Sequence, residues 1–189
     1  MIIHFLRHGK TVANEQRRYC GSADQPLSSG GIEQLRQLKT EKTFPTAERY
    51  VTSSLQRTIE TLKILHDKSP DMIIEELNEY NFGDFEMKNY DELKNNPDYL
   101  RWIGGNENIP CPNGESRQKF KERIKHGFKL VQEMNVNSVF VVCHGGVIAS
   151  LMGMLFGDRK KSYDEWLPQN AHGYTIEISG TTTAICKPL

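Results

Sequence analysis

Short apolar runs alternate along this chain with longer stretches whose apolar residues recur every three or four positions. A strand shows a period of two or a short buried run, and a helix shows a period near 3.6. Repeated switching between them builds strand–helix units and a largely parallel sheet. Ile2 to Leu6 is the first run. Ser28 stands where it can cap a helix carrying Ile32, Leu35 and Leu38. Arg49 to Ser53 is a second strand, followed by a helix with Leu55, Ile59, Leu62 and Leu65 on one face. Met72 to Leu77 is a third. Residues 78 to 114 are dense in Gly, Asn and Pro and read as irregular. Phe120, Ile124, Phe128 and Val131 mark an amphipathic helix from about Glu115 to Met134. Ser138 to Cys143 is the most strand-like run, and an apolar helix follows from Gly146 to Phe156. Tyr174 to Ile178 and Thr182 to Cys186 form a closing hairpin around Ser179-Gly180, which adds an antiparallel edge.

With 189 residues, the chain fits one domain, here 1–189, with an irregular cap insertion at about 80–114. Its 24 basic and 24 acidic side chains cancel, so no global charge points to nucleic acid or an anionic membrane. An anion site must therefore be a local cluster of cations. No apolar run is long enough for a spanning helix. Met1 leads straight into a strand without a basic leader, and Cys20, Cys111, Cys143 and Cys186 show no paired spacing. A cytoplasmic chain with reduced thiols is the expectation.

In parallel sheets, ligands bind beyond the carboxyl ends of the strands. The first strand ends in Arg7-His8-Gly9, and the second runs into Ser53-Ser54-Leu55-Gln56-Arg57. Glu79 follows the third, and His144-Gly145-Gly146 follows the fourth. Two arginines, two histidines and a carboxylate on one rim suit a phosphate monoester. Arg7 and Arg57 offer bidentate donors to its oxygens. Nearby guanidinium groups help to keep His8 neutral and nucleophilic. A backbone carbonyl on its other nitrogen would fix the tautomer. His144 is placed to hydrogen-bond the equatorial oxygens, and Glu79 to protonate the leaving alkoxide and then activate water. The helix opening at Gly146 aims its N-terminus at the same place.

Other chemistries fit less well. Gly9-Lys10-Thr11 lacks the earlier glycine of a P-loop, since position 4 is His4. Cys111 to Arg117 has the C-x5-R spacing of cysteine phosphatases, yet no strand precedes Cys111 and Glu115 would sit in the anion cradle. His4, His8, His66, His126, His144 and His172 show no metal-ligand spacing. His172, ahead of the last hairpin, either reaches the pocket or lies on the surface. Tyr19, Tyr80, Phe82, Phe85 and Trp102 form either an apolar wall for a ring-bearing leaving group or a small core beneath the long loop.

At these residues the sequence resembles the histidine phosphatase superfamily, which includes the cofactor-dependent phosphoglycerate mutases. The matching blocks are FLRHGKTVANEQRRYCGSADQPLSSGG, SSLQRTIET, LNEYNFGDFE, PNGES and VVCHGGVI, in order and spanning nearly the whole chain. The resemblance implies a three-layer α/β/α sandwich and a phosphohistidine on His8. It implies Glu79 as proton donor and Arg7, Arg57 and His144 as the rest of the phosphate pocket. Asn14, Cys20, Gly21 and Gly145 match positions that line the site. Neither metal nor organic cofactor is implied, and the partner is a small phosphorylated metabolite. The sequence departs from the family pattern at Glu60, Met87 and Lys10. Glu60 is expected to lie away from phosphate, Met87 to affect the pocket mouth, and Lys10 to face either substrate or solvent. The run Lys10-Thr11-Val12-Ala13-Asn14 and the short insert after Glu79 favour a phosphatase over a mutase. The short D-x-P-L-S form at Asp24 to Ser28 resembles α-ribazole phosphatases and small broad-specificity bacterial phosphatases. Mutase-type phosphoryl transfer and an inactive phosphate-binding scaffold are the alternatives.

Overall fold

The computed structural model describes residues 1–157, 161–179 and 182–189, with backbone alone over 182–186. Its strands are β1 (Ile2–Arg7), β2 (Arg49–Thr52), β3 (Met72–Ile73), β4 (Ser138–Cys143), β5 (Gly173–Ser179) and β6 (Thr182–Pro188). Its helices are α1 (Val12–Glu15), α2 (Ser29–Glu41), α3 (Gln56–His66), α4 (Tyr90–Leu93), α5 (Pro97–Gly104), α6 (Arg117–Gln132), α7 (Gly145–Leu155) and α8 (Tyr163–Trp166). The strands form one six-stranded sheet in the order β3-β2-β4-β1-β5-β6. β1 to β4 run parallel, while β5 and β6 add the expected antiparallel edge. The glycine of the Ser179-Gly180 turn and the side chain of Cys186 lie outside the described residues.

Alternation along β4 divides the core into two layers. Val139, Val141 and Cys143 face one apolar cluster with Phe120, Ile124 and Phe128 of α6 and Val147 and Leu151 of α7. Phe140 and Val142 face the other, with Leu35 of α2 and Leu62 and Leu65 of α3. Helices on both faces complete the α/β/α sandwich. Ser28 caps α2 as its position suggests, its hydroxyl accepting from the Gly31 amide at 2.9 Å.

Three expectations need correction. β3 is only Met72–Ile73; after it the chain turns into a 3-10 helix, Glu75–Leu77, and Glu79 then reaches the Gly146 amide at the start of α7. The buried face of α3 carries Arg57, Thr58 and Thr61 beside Leu62 and Leu65, while Ile59 is only partly buried. The helix spends that face on the site rather than on apolar packing alone. The stretch called irregular contains α4 and α5. Asn89 and Glu92 make a capping box on α4, and Asn96 caps α5 with Pro97 in its first turn.

Candidate active site

Register places the centre of the site. In the parallel pair β1/β4, Arg7 lies opposite Cys143, and in β2/β4 Thr52 lies opposite Val142. The next residues, His8 and His144, therefore leave adjacent strands side by side, with ring centroids 5.1 Å apart. His8, Arg57 and His144 are almost wholly buried. Next to them, a cavity of about 750 Å³ is lined by Arg7, Asn14, Cys20, Glu79, Gly145 and several aromatic residues, while His8, Arg57 and His144 lie behind its surface.

His8 donates from Nδ1 to the Gly9 carbonyl at 2.6 Å. That bond fixes the tautomer and leaves Nε2 as the unprotonated ring nitrogen. Burial, then the Arg57 and Arg7 charges, hold the His8 pKa well below the usual histidine range, against the opposing Gly9 bond. His144 is lowered in the same way by burial, with Arg57 next and His8 and Arg7 behind it.

Arg7 donates from one terminal nitrogen to the Pro168 carbonyl at 2.8 Å, while its buried Nε has no partner among the described residues. Buried guanidinium donors are ordinarily paired, and a phosphoryl oxygen supplies what this one lacks. Gly145 makes room for it, since a Cβ there would lie 3.1 Å from both Nε and Cζ of Arg7. Arg57 donates to the carbonyls of Gly21 at 2.7 Å and Ala23 at 2.9 Å, and from Nε to His144 Nδ1 at 3.3 Å. His144 Nε2 lies 2.7 Å from Ser53 Oγ. Both ring nitrogens of His144 are thus engaged with protein groups. The ring orients Arg57 here, rather than presenting a free N–H to an incoming oxygen.

Glu79 accepts from the Gly146 amide at 2.9 Å and the Tyr80 amide at 3.0 Å. The N-terminus of α7, expected to face phosphate, holds this carboxylate instead. Asn14 lines the cavity and its Oδ1 accepts from Thr11 N and Asn170 Nδ2. Cys20 lines it as a half-buried thiol whose pKa burial raises. Gly21 sits behind it, its amide held by Glu86 at 2.9 Å, where a Cβ would run into Tyr80 O.

The aromatic alternatives both occur. Tyr19, Tyr80, Phe82 and Trp102, with Phe120, line the cavity. Phe85 is 1% exposed and packs beneath against Tyr99 and Trp102. Lys10 is exposed and His172 partly buried, and neither lines the cavity. Cys111 is buried with its pKa raised to about 11, mainly by burial, and Arg117 stacks on Trp102 at 5.2 Å. A thiol held protonated in this way is a poor nucleophile. Among the described residues no three His, Cys, Asp or Glu side chains gather as metal ligands. None of their helices is long and apolar enough to cross a membrane.

Two groups escaped the sequence reading. Asn170 donates to the His8 and Gly9 carbonyls and to Asn14, so it braces the acceptor that fixes the His8 tautomer. Glu86 accepts from the amides of Gly21, Ser22 and Phe82, joining the Arg57-binding loop to the cap. Its place in the Phe85-Glu86 block was a signal, but its partners arise only in three dimensions. The departures from the family pattern are also explained. Glu60 accepts from Leu27 N at 2.8 Å and so holds the 21–27 loop. Met87 has φ +60°, a left-handed conformation that favours glycine.

A pH prediction follows from the neutral histidines. His66 has Nε2 buried without a partner among the described residues, with its ring 4.5 Å from that of Phe140. Burial first, then Lys68 and Lys39, lowers its pKa to about 4. An unfolded histidine titrates near 6.5, so between about pH 6.5 and 4 the unfolded chain binds a proton that the folded one refuses. The stability from this group is complete above that window and is lost as pH falls through it, by about 1.4 kcal/mol per pH unit. Urea titrations at pH 7 and 5 are expected to show a smaller loss for His66→Phe than for wild type. Equal losses would contradict the assignment.

The profile of the histidine phosphatase superfamily (branch 1) matches residues 3–187. An adenosylcobalamin/alpha-ribazole phosphatase of Escherichia coli (strain K12) is 33% identical over 162 residues, 83% of this chain and 80% of that protein. A probable phosphoglycerate mutase of Yersinia pestis (strain Pestoides F) is 28% identical over 210 residues, 98% of this chain and 95% of the other. The crystal structure of the alpha-ribazole phosphatase from Shigella flexneri superposes with a TM-score of 0.85 at 27% identity, covering 98% of this chain and 94% of that one.

Proposed function

The chain belongs to the histidine phosphatase superfamily, branch 1, and on that premise we propose that it hydrolyses small phosphate monoesters through phosphohistidine on Nε2 of His8. The observation that carries this reading is the 2.6 Å bond from His8 Nδ1 to Gly9 O, which presents a bare Nε2 beside two guanidinium groups. In the first step the Nε2 lone pair forms the N–P bond while the P–O bond to the alcohol breaks. Protonated Glu79 gives its proton to the leaving oxygen. In the second step Glu79 takes a proton from water as the water oxygen attacks phosphorus. The N–P bond breaks, phosphate leaves, and Glu79 is protonated again. Arg7 and Arg57 bind the equatorial oxygens and stabilise the charge that develops there. His144 accepts from Arg57 Nε at Nδ1 and so holds that guanidinium in place.

The alcohol is a ring-bearing one, and α-ribazole 5′-phosphate is the favoured candidate. The aromatic wall supports this, as do relatives described as alpha-ribazole phosphatases. Burying a ring against such a wall contributes roughly 1.5–3 kcal/mol. The test is phosphate release with EDTA present. It compares α-ribazole 5′-phosphate, p-nitrophenyl phosphate and 3-phosphoglycerate, for wild type, Cys111→Ser and Trp102→Ala. Activity that survives EDTA and Cys111→Ser is expected. So is a roughly 10- to 100-fold kcat/KM advantage for the ring-bearing ester over phosphoglycerate, reduced in Trp102→Ala. Phosphoglycerate isomerisation without net hydrolysis would make the protein a mutase. Phosphate binding without turnover of any ester would make it a scaffold.

A further inference from the structure

Arg123, on α6, lies outside every motif used above. Its NH1 donates to the carbonyls of Glu76 and Asn78, each at 2.8 Å, and its NH2 to that of Glu79 at 3.3 Å. The same NH2 pairs with Glu115 Oε1 at 2.7 Å. Glu115 in turn accepts from the Asn81 amide at 2.8 Å, and its own amide donates to Asn81 O at 3.1 Å. One ion pair therefore fastens the backbone on both sides of Glu79. The opposite flank is tied to the end of β2, where Asn78 Oδ1 accepts from both the amide and the hydroxyl of Ser54 at 3.0 Å. This segment follows the shortest strand of the sheet, so the β ladder does little to hold it.

We propose that Arg123, with Glu115, is a positioning residue for Glu79: the pair sets where the carboxyl group meets the leaving oxygen and touches neither phosphate nor alcohol. The proposal rests on Glu79 being the acid. Guanidinium geometry is required, because one planar group must reach three carbonyls and a carboxylate at once, which an ammonium cannot do. A misplacement of about 1 Å at a reacting group can cost ~10²-fold in rate.

The experiment compares Arg123→Lys, Glu115→Gln and Glu79→Gln on two esters. One is p-nitrophenyl phosphate, whose phenolate leaves without help. The other is a simple alkyl phosphate, whose alkoxide needs a proton. Inorganic phosphate affinity and Tm report on the cradle and the fold. In kcat/KM, which reports formation of phosphohistidine, Arg123→Lys is expected to lose ~10²-fold on the alkyl ester and far less on the aryl ester. Phosphate affinity should stay close to wild type, and added guanidinium should restore part of the loss in an Arg123→Ala variant. If Arg123→Lys does not fold, Glu115→Gln is expected to show the same selectivity. Equal losses on both esters, or none, in a folded variant would overturn the proposal while Glu79→Gln remained selective. A non-selective Glu79→Gln would instead remove the acid assignment, and the positioning role with it.

Discussion

His8→Ala is expected to lower kcat for phosphate release by at least ~10⁴-fold, the scale on which enzymes lose an essential nucleophile. No neighbouring group can replace it. His144 has both ring nitrogens committed, to Arg57 and Ser53. Cys111 is a buried thiol raised to about 11, and Cys143 is fully buried. The variant should still fold, because it removes a buried ring that the protein keeps neutral against two nearby cations. Inorganic phosphate should still bind, since Arg7 and Arg57 remain. Steady-state release from p-nitrophenyl phosphate, with circular dichroism as the folding control, measures this. Retention of more than a few per cent of wild-type kcat would remove His8 as the nucleophile.

Glu79→Gln is expected to cost between ~10² and ~10⁴ in kcat on an alkyl phosphate, the usual contribution of a general acid. The amide keeps the size of the side chain and an oxygen to accept from Gly146 N, now 2.9 Å from the carboxylate. It has no carboxyl proton to give. The loss should shrink on p-nitrophenyl phosphate for formation of phosphohistidine but persist for its hydrolysis, where Glu79 activates water. A burst of nitrophenol followed by a slow steady state is the predicted signature in a stopped-flow experiment. A linear trace with an equal loss on both esters would contradict the acid–base assignment.

What could be read from the sequence follows from which physical rules are local. β1 and β4 are short, mostly apolar and followed by histidine and glycine, so their ends, and hence His8 and His144, were readable. Once the sheet was taken as parallel, those ends fell on one rim, but that β1 and β4 are neighbours comes from the strand order. α3 was found with Leu62 and Leu65 on its inner face, but the polar part of that face was not. Periodicity assigns burial to Ile59, whereas Arg57, Thr58 and Thr61 are buried because they hold the site together. The Thr61 hydroxyl, for example, accepts from Gly9 N at 2.9 Å. The signals for α4 and α5 were present as Asn89 with Glu92 and as Asn96-Pro97. The density of Asn, Gly and Pro around them obscured two short helices. Asn170, Glu86 and Arg123 act on backbone groups distant in sequence, and no spacing rule encodes such partners. Lys10 shows the converse, a charge beside the nucleophile in sequence that the chain turns to solvent.

The central claim is a covalent phosphoryl group on His8. Rapid alkaline quenching during p-nitrophenyl phosphate turnover, followed by digestion and mass spectrometry, tests it directly. One phosphoryl group is expected on the peptide containing His8, stable in base, lost in acid and absent from His8→Ala. Turnover without a label on His8, or a label carried by another residue, would contradict it.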